Sequence, residues 1–256
     1  MRKIISLLAS LTIVAGAYAQ RPVAIHSHND YDHMAPFWEA YSQHCTSIEA
    51  DVYLKDGEIL VAHNREDLTP KRNLRAMYIE PIALLFRGNG GRMWLDSEGR
   101  LQLVVDVKTA ESLSGVVAIA GEYPDVFASE GGVRLVITGA IPAPEDFSKW
   151  PSWVWFDGDF KDGKLNYTPA QLERIAMIST YFKHHAKTWK GQGRMDKADY
   201  DAVAAAIDAC HAVGKPIRFW GAPDGEEAYV ALFRMGVDFI NTDHPAKCTL
   251  FLRNWK

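Results

Sequence analysis

Cysteine is scarce and odd in number, with Cys45, Cys210 and Cys248 widely spaced in 256 residues, so no disulfide framework organises the fold. Two of the three can pair in an oxidising compartment, but the spacing does not choose which, and buried free thiols are the simpler reading. A strong charge of one sign is also missing. The 28 basic residues stand against 32 acidic ones, a formal net charge of −4. That balance excludes nucleic acid as an expected partner, because phosphate-backbone binding wants a basic face. After the first twenty residues no apolar run reaches the roughly 18 residues of a membrane span. No proline-rich or glycine-serine linker divides the chain, and no internal repeat or low-complexity segment occurs.

The start of the chain has the form of an export signal. Arg2 and Lys3 precede an apolar run from Ile4 to Ala15, and Ala17-Tyr18-Ala19 has the small-x-small form that a signal peptidase cuts. Residues 1–19 are therefore expected to be a signal peptide and 20–256 a single exported domain, periplasmic or secreted, without a spanning segment. Removing Arg2 and Lys3 leaves 26 bases (28 − 2) against 32 acids, a balance of −6.

Within 20–256, apolar strand-like runs at 23–26, 47–53, 101–107, 133–138, 153–156, 175–182, 216–220 and 237–242 alternate with amphipathic stretches at 37–43, 81–86, 110–122, 143–149, 169–174, 196–213 and 225–235. Alternating strands and helices imply parallel pairing with right-handed crossovers. Eight such units close into an α/β fold of the (β/α)8 TIM-barrel type, whose working face is the C-terminal end of the strands.

Chemistry-bearing residues gather at those ends. The run Val23-Ala24-Ile25 ends in His26-Ser27-His28-Asn29-Asp30. Glu49 and Asp51 share one face of the second run, roughly 6 to 7 Å apart along a strand rising about 3.3 Å per residue. Like charges so placed repel unless something positive lies between them. A divalent cation resolves this, and carboxylates without cysteine suit Mg²⁺ or Ca²⁺ better than zinc. The run 59–62 leads to His63, and the third strand carries Asp106 and, on the same face, Lys108.

These residues carry a resemblance. The histidine closing the first strand, the E-x-D of Glu49 and Asp51, His63 soon after, the acid-x-lysine of Asp106 and Lys108, and the closing G-V-D-x-I-x-T-D-x-P from Gly236 to Pro245 resemble the phosphatidylinositol-phospholipase-C-like phosphodiesterases. That superfamily includes glycerophosphodiester phosphodiesterases and venom sphingomyelinase D enzymes. H-S-H-N-D-Y, E-A-D-V and L-T-P-K-R-N-L-R-A-M-Y-I-E-P are more closely similar to the group of the fungal altered-inheritance-of-mitochondria protein and its bacterial relatives. The resemblance implies a TIM-barrel phosphoric diester hydrolase with Mg²⁺ or Ca²⁺ on Glu49, Asp51 and Asp106 and with His26 and His63 as an acid/base pair. Ser27-His28 stands where glycerophosphodiesterases have Arg-Gly, and Asp106 where they have glutamate, which draws the likeness toward the venom and fungal groups.

The chemistry is coherent on its own terms. A phosphodiester is an anion, so a cation and the Lys108 ammonium offset charge in its transition state, and two imidazoles can pass protons at neutral pH. The expected substrate is a small-molecule or lipid phosphodiester. His28, Asn29, Asn64, Arg65, Lys183 and Trp220 are expected to contact it, although His28 has the simpler option of bonding Asp30. Asp243 either lies beside the ligands or caps a turn. Trp150, Trp153 and Trp155 are expected to pack in the core, and the segment 183–195 is long for a barrel connection. Two other classes compete: a metal-dependent amidohydrolase built on His26-x-His28, which leaves Glu49, Asp51, Asp106 and Lys108 without roles, and a barrel that binds phosphorylated headgroups without cleaving them.

Overall fold

The computed structural model describes residues 24–160 and 163–255. The expected leader, residues 1–19, lies outside the described residues. Each of the apolar runs becomes a strand: β1 (Ala24–Ser27), β2 (Ser47–Lys55), β4 (Gln102–Val107), β5 (Arg134–Gly139), β6 (Val154–Asp159), β7 (Ile175–Tyr181), β8 (Ile217–Trp220) and β9 (Phe239–Thr242), with an additional β3 (Glu58–Val61). The sheet order is β1-β9-β8-β7-β6-β5-β4-β2-β3, and β1 also pairs with β2, so eight parallel strands close into a barrel. Strand β3 pairs antiparallel with β2 outside that ring. The turn is Asp56-Gly57, both at positive φ (52° and 83°), the two-residue geometry that favours Asp-Gly in a hairpin.

The pleat sorts the barrel. Ile48, Ala50 and Val52 of β2, Leu103, Val105 and Val107 of β4, and Ile217 and Phe219 of β8 join the large outer core. A second, smaller cluster of Val104, Val136, Ala176 and Met177 fills the interior, with Trp155 packed against it. The alternate positions His26, Ser47, Glu49, Asp51, Asp157, Ser179, Arg218 and Asn241 are buried polar groups. The interior thus changes from apolar to charged toward the C-terminal ends of the strands.

Outer helices follow the expected stretches: α1 (Trp38–Ser42), α2 (Glu80–Gly88), α3 (Ser112–Gly121), α5 (Pro169–Leu172), α7 (Lys197–Ala212) and α8 (Glu226–Met235). Thr168 closes a capping box with Gln171 at the start of α5, and Gly236 (φ 96°) stops α8. Residues 144–149 form a 3₁₀ turn rather than an α-helix. Short α4 (Pro124–Phe127) and α6 (Phe182–His185) and the terminal α9 (Pro245–Asn254), which packs on α1 and β1, were not foreseen. The segment after α6 is tied down by the Asp199 carboxylate, which accepts from the backbone N–H groups of Lys187, Thr188 and Trp189. All three cysteines are buried free thiols. No helix among the described residues is long and apolar enough to cross a membrane.

Candidate active site

Strand β2 carries the centre of the site. Glu49 and Asp51 face the barrel mouth from alternate positions, and Asp106 lies directly beside Asp51 in the β2–β4 register. One carboxylate oxygen from each of Glu49, Asp51 and Asp106 lies within 4.8 Å of the others. The three acids expected from the sequence therefore converge. Gly139, at φ 81°, makes room for this, because a Cβ there would overlap Asp106 Oδ1.

The cluster holds its own partial countercharge. Lys108 Nζ lies 2.5 Å from Asp106 Oδ2 and 2.6 Å from Asp51 Oδ2. Burial disfavours its charge, but the two acids outweigh burial and raise its pKa. Burial pushes the Asp106 carboxyl up, against the pull of Lys108. Burial likewise works against ionised Glu49, yet Arg218 and His26 outweigh it and hold Glu49 well below the usual carboxylate range.

Asp51 is loaded unevenly. Its Oδ2 takes Lys108, the Tyr31 phenol at 2.8 Å and His63 Nδ1 at 3.0 Å. Its Oδ1 is buried and has no hydrogen-bond partner among the described residues. A buried carboxylate oxygen left bare is costly, and this one belongs to the triad. Three carboxylates against two fixed cations, Lys108 and Arg218, leave net negative charge, and the donors are all hard oxygens. These residues fit a divalent cation of the Mg²⁺ or Ca²⁺ kind.

The two histidines differ sharply in environment. His63, delivered by β3, has a largely exposed side chain whose Nδ1 faces Asp51. His26 is fully buried, with Nδ1 2.6 Å from Ser47 Oγ and Nε2 2.7 Å from Glu49 Oε2, and with Arg218 Nη1 against the same Nε2. Burial first, then Arg218, lower its pKa to about 3, so the ring is neutral. The amidohydrolase arrangement needs His26 and His28 on one shared ion, but the Nε2 of His26 is already taken by Glu49 and Arg218.

His28 does not bond Asp30. Its Nδ1 lies 2.7 Å from Asp243 Oδ1, and its Nε2 is 3.8 Å from Glu49 Oε1. Burial opposes its protonation, and the bond to Asp243 with the charge of Glu49 prevails and raises its pKa. Asp30 instead anchors the mouth loop, accepting from Ser27 Oγ (2.9 Å), Phe37 N (2.5 Å) and Tyr78 OH (2.9 Å). The Asn29 amide donates to Asp243 at 3.3 Å.

The other expected contacts scatter. Asn64 donates to Asp67, Arg65 lies over the Tyr53 ring and Lys183 donates to the Trp189 carbonyl, so none of these three reaches the triad through a polar contact. The sequence gives the position of such side chains but not the direction in which long polar groups turn. Trp220 stacks on Tyr181 with ring centroids 4.3 Å apart and lines a cavity of about 570 Å³ with Thr138, Asp157, Ser179 and Arg218.

Two central residues escaped the sequence reading. Arg218 donates to Glu49 (2.5 Å), Ser179 (2.9 Å) and, at 3.5 Å, Asp157. The Asp157 carboxyl is pushed up to about 7 by burial, against the opposing pull of Arg218. Their signal was a single charge in an apolar run, with Arg218 in phase with Trp220.

The mouth loop also contains a testable pH dependence. His33 Nε2 donates to the Asp243 carbonyl at 3.0 Å and its Nδ1 lies 3.6 Å from Asp30 Oδ1. The Asp30 carboxylate, opposed by burial and helped by that carbonyl, raises its pKa to about 9. A raised folded-state pKa gives stability that is complete below the unfolded value of about 6.5 and lost as pH climbs through about 9. His33→Gln is expected to cost on the order of 1 kcal/mol below pH 6.5 after solvent screening, and almost nothing above pH 9.5. Urea midpoints of both proteins across that range measure it.

Comparison with known proteins gives first the class. The fold is that of glycerophosphodiester phosphodiesterases from Parabacteroides distasonis (TM-score 0.52, 14% identity, 90% of this chain and 96% of that one) and Agrobacterium tumefaciens (TM-score 0.53, 14% identity, 89% and 100%). The sequence adds a likeness of kind: residues 17–129 match the model of the AIM6-like phosphodiesterase domain. An altered inheritance of mitochondria protein 6 homolog from Arthroderma benhamiae is 24% identical over 257 residues, covering 87% of this chain and 81% of that protein. Altered inheritance of mitochondria protein 6 from Saccharomyces cerevisiae is 24% identical over 271 residues, covering 87% and 69%. These relatives correct one expectation. Their names tie them to the inheritance of mitochondria, which overturns the periplasmic or secreted placement read from residues 1–19.

Proposed function

We propose that the chain hydrolyses a phosphodiester of a lipid or of a lipid headgroup with the help of a divalent cation, Mg²⁺ or Ca²⁺, held by Glu49, Asp51 and Asp106. The observation that carries this reading is the buried Asp51 Oδ1, without a partner among the described residues, within a triad in which one oxygen from each acid lies inside 4.8 Å of the others. When bound, such a cation supplies Lewis-acid stabilisation of charge on the non-bridging phosphate oxygens.

The chain's own residues do the rest. Lys108, part-exposed at the mouth, adds positive charge for the anionic substrate. His63 is turned with Nδ1 toward Asp51, which leaves Nε2 to exchange a proton with the attacking hydroxyl or the leaving alkoxide. His26, expected from the sequence as the second member of the pair, is neutral with its nitrogens held by Ser47 and Glu49, so in this proposal it orients Glu49 and His63 is the imidazole free to exchange the proton. The cavity beside Arg218, Asp157 and Trp220 is large enough for a headgroup.

Turnover of bis(p-nitrophenyl) phosphate and of glycerophosphodiesters, with and without EDTA and with Mg²⁺ or Ca²⁺ restored, tests the proposal. Activity that falls at least about a hundredfold on chelation and returns with the cation is expected. Turnover indifferent to EDTA refutes the cation, and binding of a phosphodiester without turnover leaves a headgroup-binding barrel.

A further inference from the structure

Building on that reading of His63, we infer that Tyr31 is the residue that fixes the His63 imidazole in a single orientation and tautomer, and so is a positioning residue for proton transfer. His63 projects from the end of β3 with most of its side chain in solvent, and a ring in that state turns freely unless one edge is held. Its Nδ1 edge is held, by Asp51 Oδ2 at 3.0 Å and by the Tyr31 oxygen at 3.2 Å.

The pattern of donors sets which nitrogen carries hydrogen. The one phenol proton lies between two acceptors, Asn29 Oδ1 at 2.7 Å and Asp51 Oδ2 at 2.8 Å. With that proton directed there, the phenol presents a lone pair to His63, and Asp51 presents a carboxylate oxygen. Among the described residues two acceptors and no donor face Nδ1, so Nδ1 carries the hydrogen and Nε2 the free lone pair. Without the phenol, one carboxylate oxygen, already shared with Lys108, is the sole hold on the ring.

Tyr31 itself cannot swing. It is fully buried, and its neighbours fix the loop: Asp30 through Ser27, Phe37 and Tyr78, and Arg72 through the Tyr31 carbonyl. Asn29, at φ 49°, joins the same hydroxyl to Asp243 and thence to His28. The tyrosine thus reaches His63 from a rigid base, which is what a positioning group requires.

The test compares wild type, Tyr31→Phe, His63→Gln and the double variant in three measurements: hydrolysis of bis(p-nitrophenyl) phosphate at saturating Mg²⁺, calorimetric Mg²⁺ titration, and ¹⁵N imidazole spectra of the metal-free protein in alkaline buffer. Tyr31→Phe is expected to lower kcat about 10- to 100-fold, with KM and Mg²⁺ affinity within about twofold. The double variant is expected to be no slower than His63→Gln, because both act on one step. The His63 spectrum should pass from one tautomer to a mixture. Additive losses, a loss cured by more Mg²⁺, or an unchanged imidazole spectrum overturns the inference. If His63→Gln leaves kcat intact, the catalytic reading of His63 fails, and the spectra still decide whether Tyr31 fixes the ring.

Discussion

Asp51→Asn is expected to lower phosphodiester turnover about a thousandfold and Mg²⁺ affinity at least about a hundredfold, while leaving the fold intact. A thousandfold is about 4 kcal/mol of transition-state stabilisation, within what one ligand to an electrophilic cation supplies. The amide has nearly the volume of the carboxylate, so packing does not change. Charge does. In the metal-free protein three acids share Lys108 and Arg218, and removing one acid relieves their mutual repulsion. Thermal unfolding in EDTA is therefore expected to be unchanged or slightly higher, within about 1 kcal/mol. In wild type, saturating Mg²⁺ should raise the unfolding temperature by mass action, and in Asp51→Asn this rise should vanish. Lost activity together with a marked drop in metal-free stability would show instead that Asp51 is a structural acid held by Lys108.

Much of this site was readable because a strand has period two. Glu49 and Asp51 fall on one face of a run whose other face, Ile48, Ala50 and Val52, is fully buried, and that contrast survives in the sequence. The eight parallel strands were readable for a different reason, since strands buried on both faces leave near-continuous apolar runs between amphipathic stretches. What did not survive is direction. His26 closes a strand as expected, but only the closed barrel brings Arg218 from the far side of the chain against it. Tyr31 looks like an ordinary aromatic in H-S-H-N-D-Y until the loop folds back on Asp51 and His63. Arg65 and Lys183 bear the charge a phosphate wants, yet one lies on a ring and the other on a backbone carbonyl. Long flexible side chains choose partners that only tertiary structure provides.

Arg218→Met is the substitution expected to cost the most stability. The methionine fills a comparable volume, so the loss is electrostatic rather than a cavity. Arg218 is buried among Glu49, Asp157, Ser179, Asn241 and His26. Breaking a buried pair from one side leaves an uncompensated charge, at a cost of roughly 3–5 kcal/mol, or on the order of 10 °C in Tm for a domain of this size. The pH dependence identifies the cause. Asp157 is pushed up to about 7 even with Arg218 present, chiefly by burial. A carboxyl raised above its unfolded value of 3.8 has no penalty in acid and an increasing one as pH rises toward and through its folded pKa. Without the guanidinium that folded value rises further, so the variant should lose stability more steeply than wild type between pH 5 and pH 8. Denaturant midpoints of Arg218→Met and of Arg218→Met with Asp157→Asn settle the matter: the neutral amide should recover part of the loss at pH 8 and little of it at pH 5. Equal losses at both pH values would mean that Arg218 acts through packing and not through its charge.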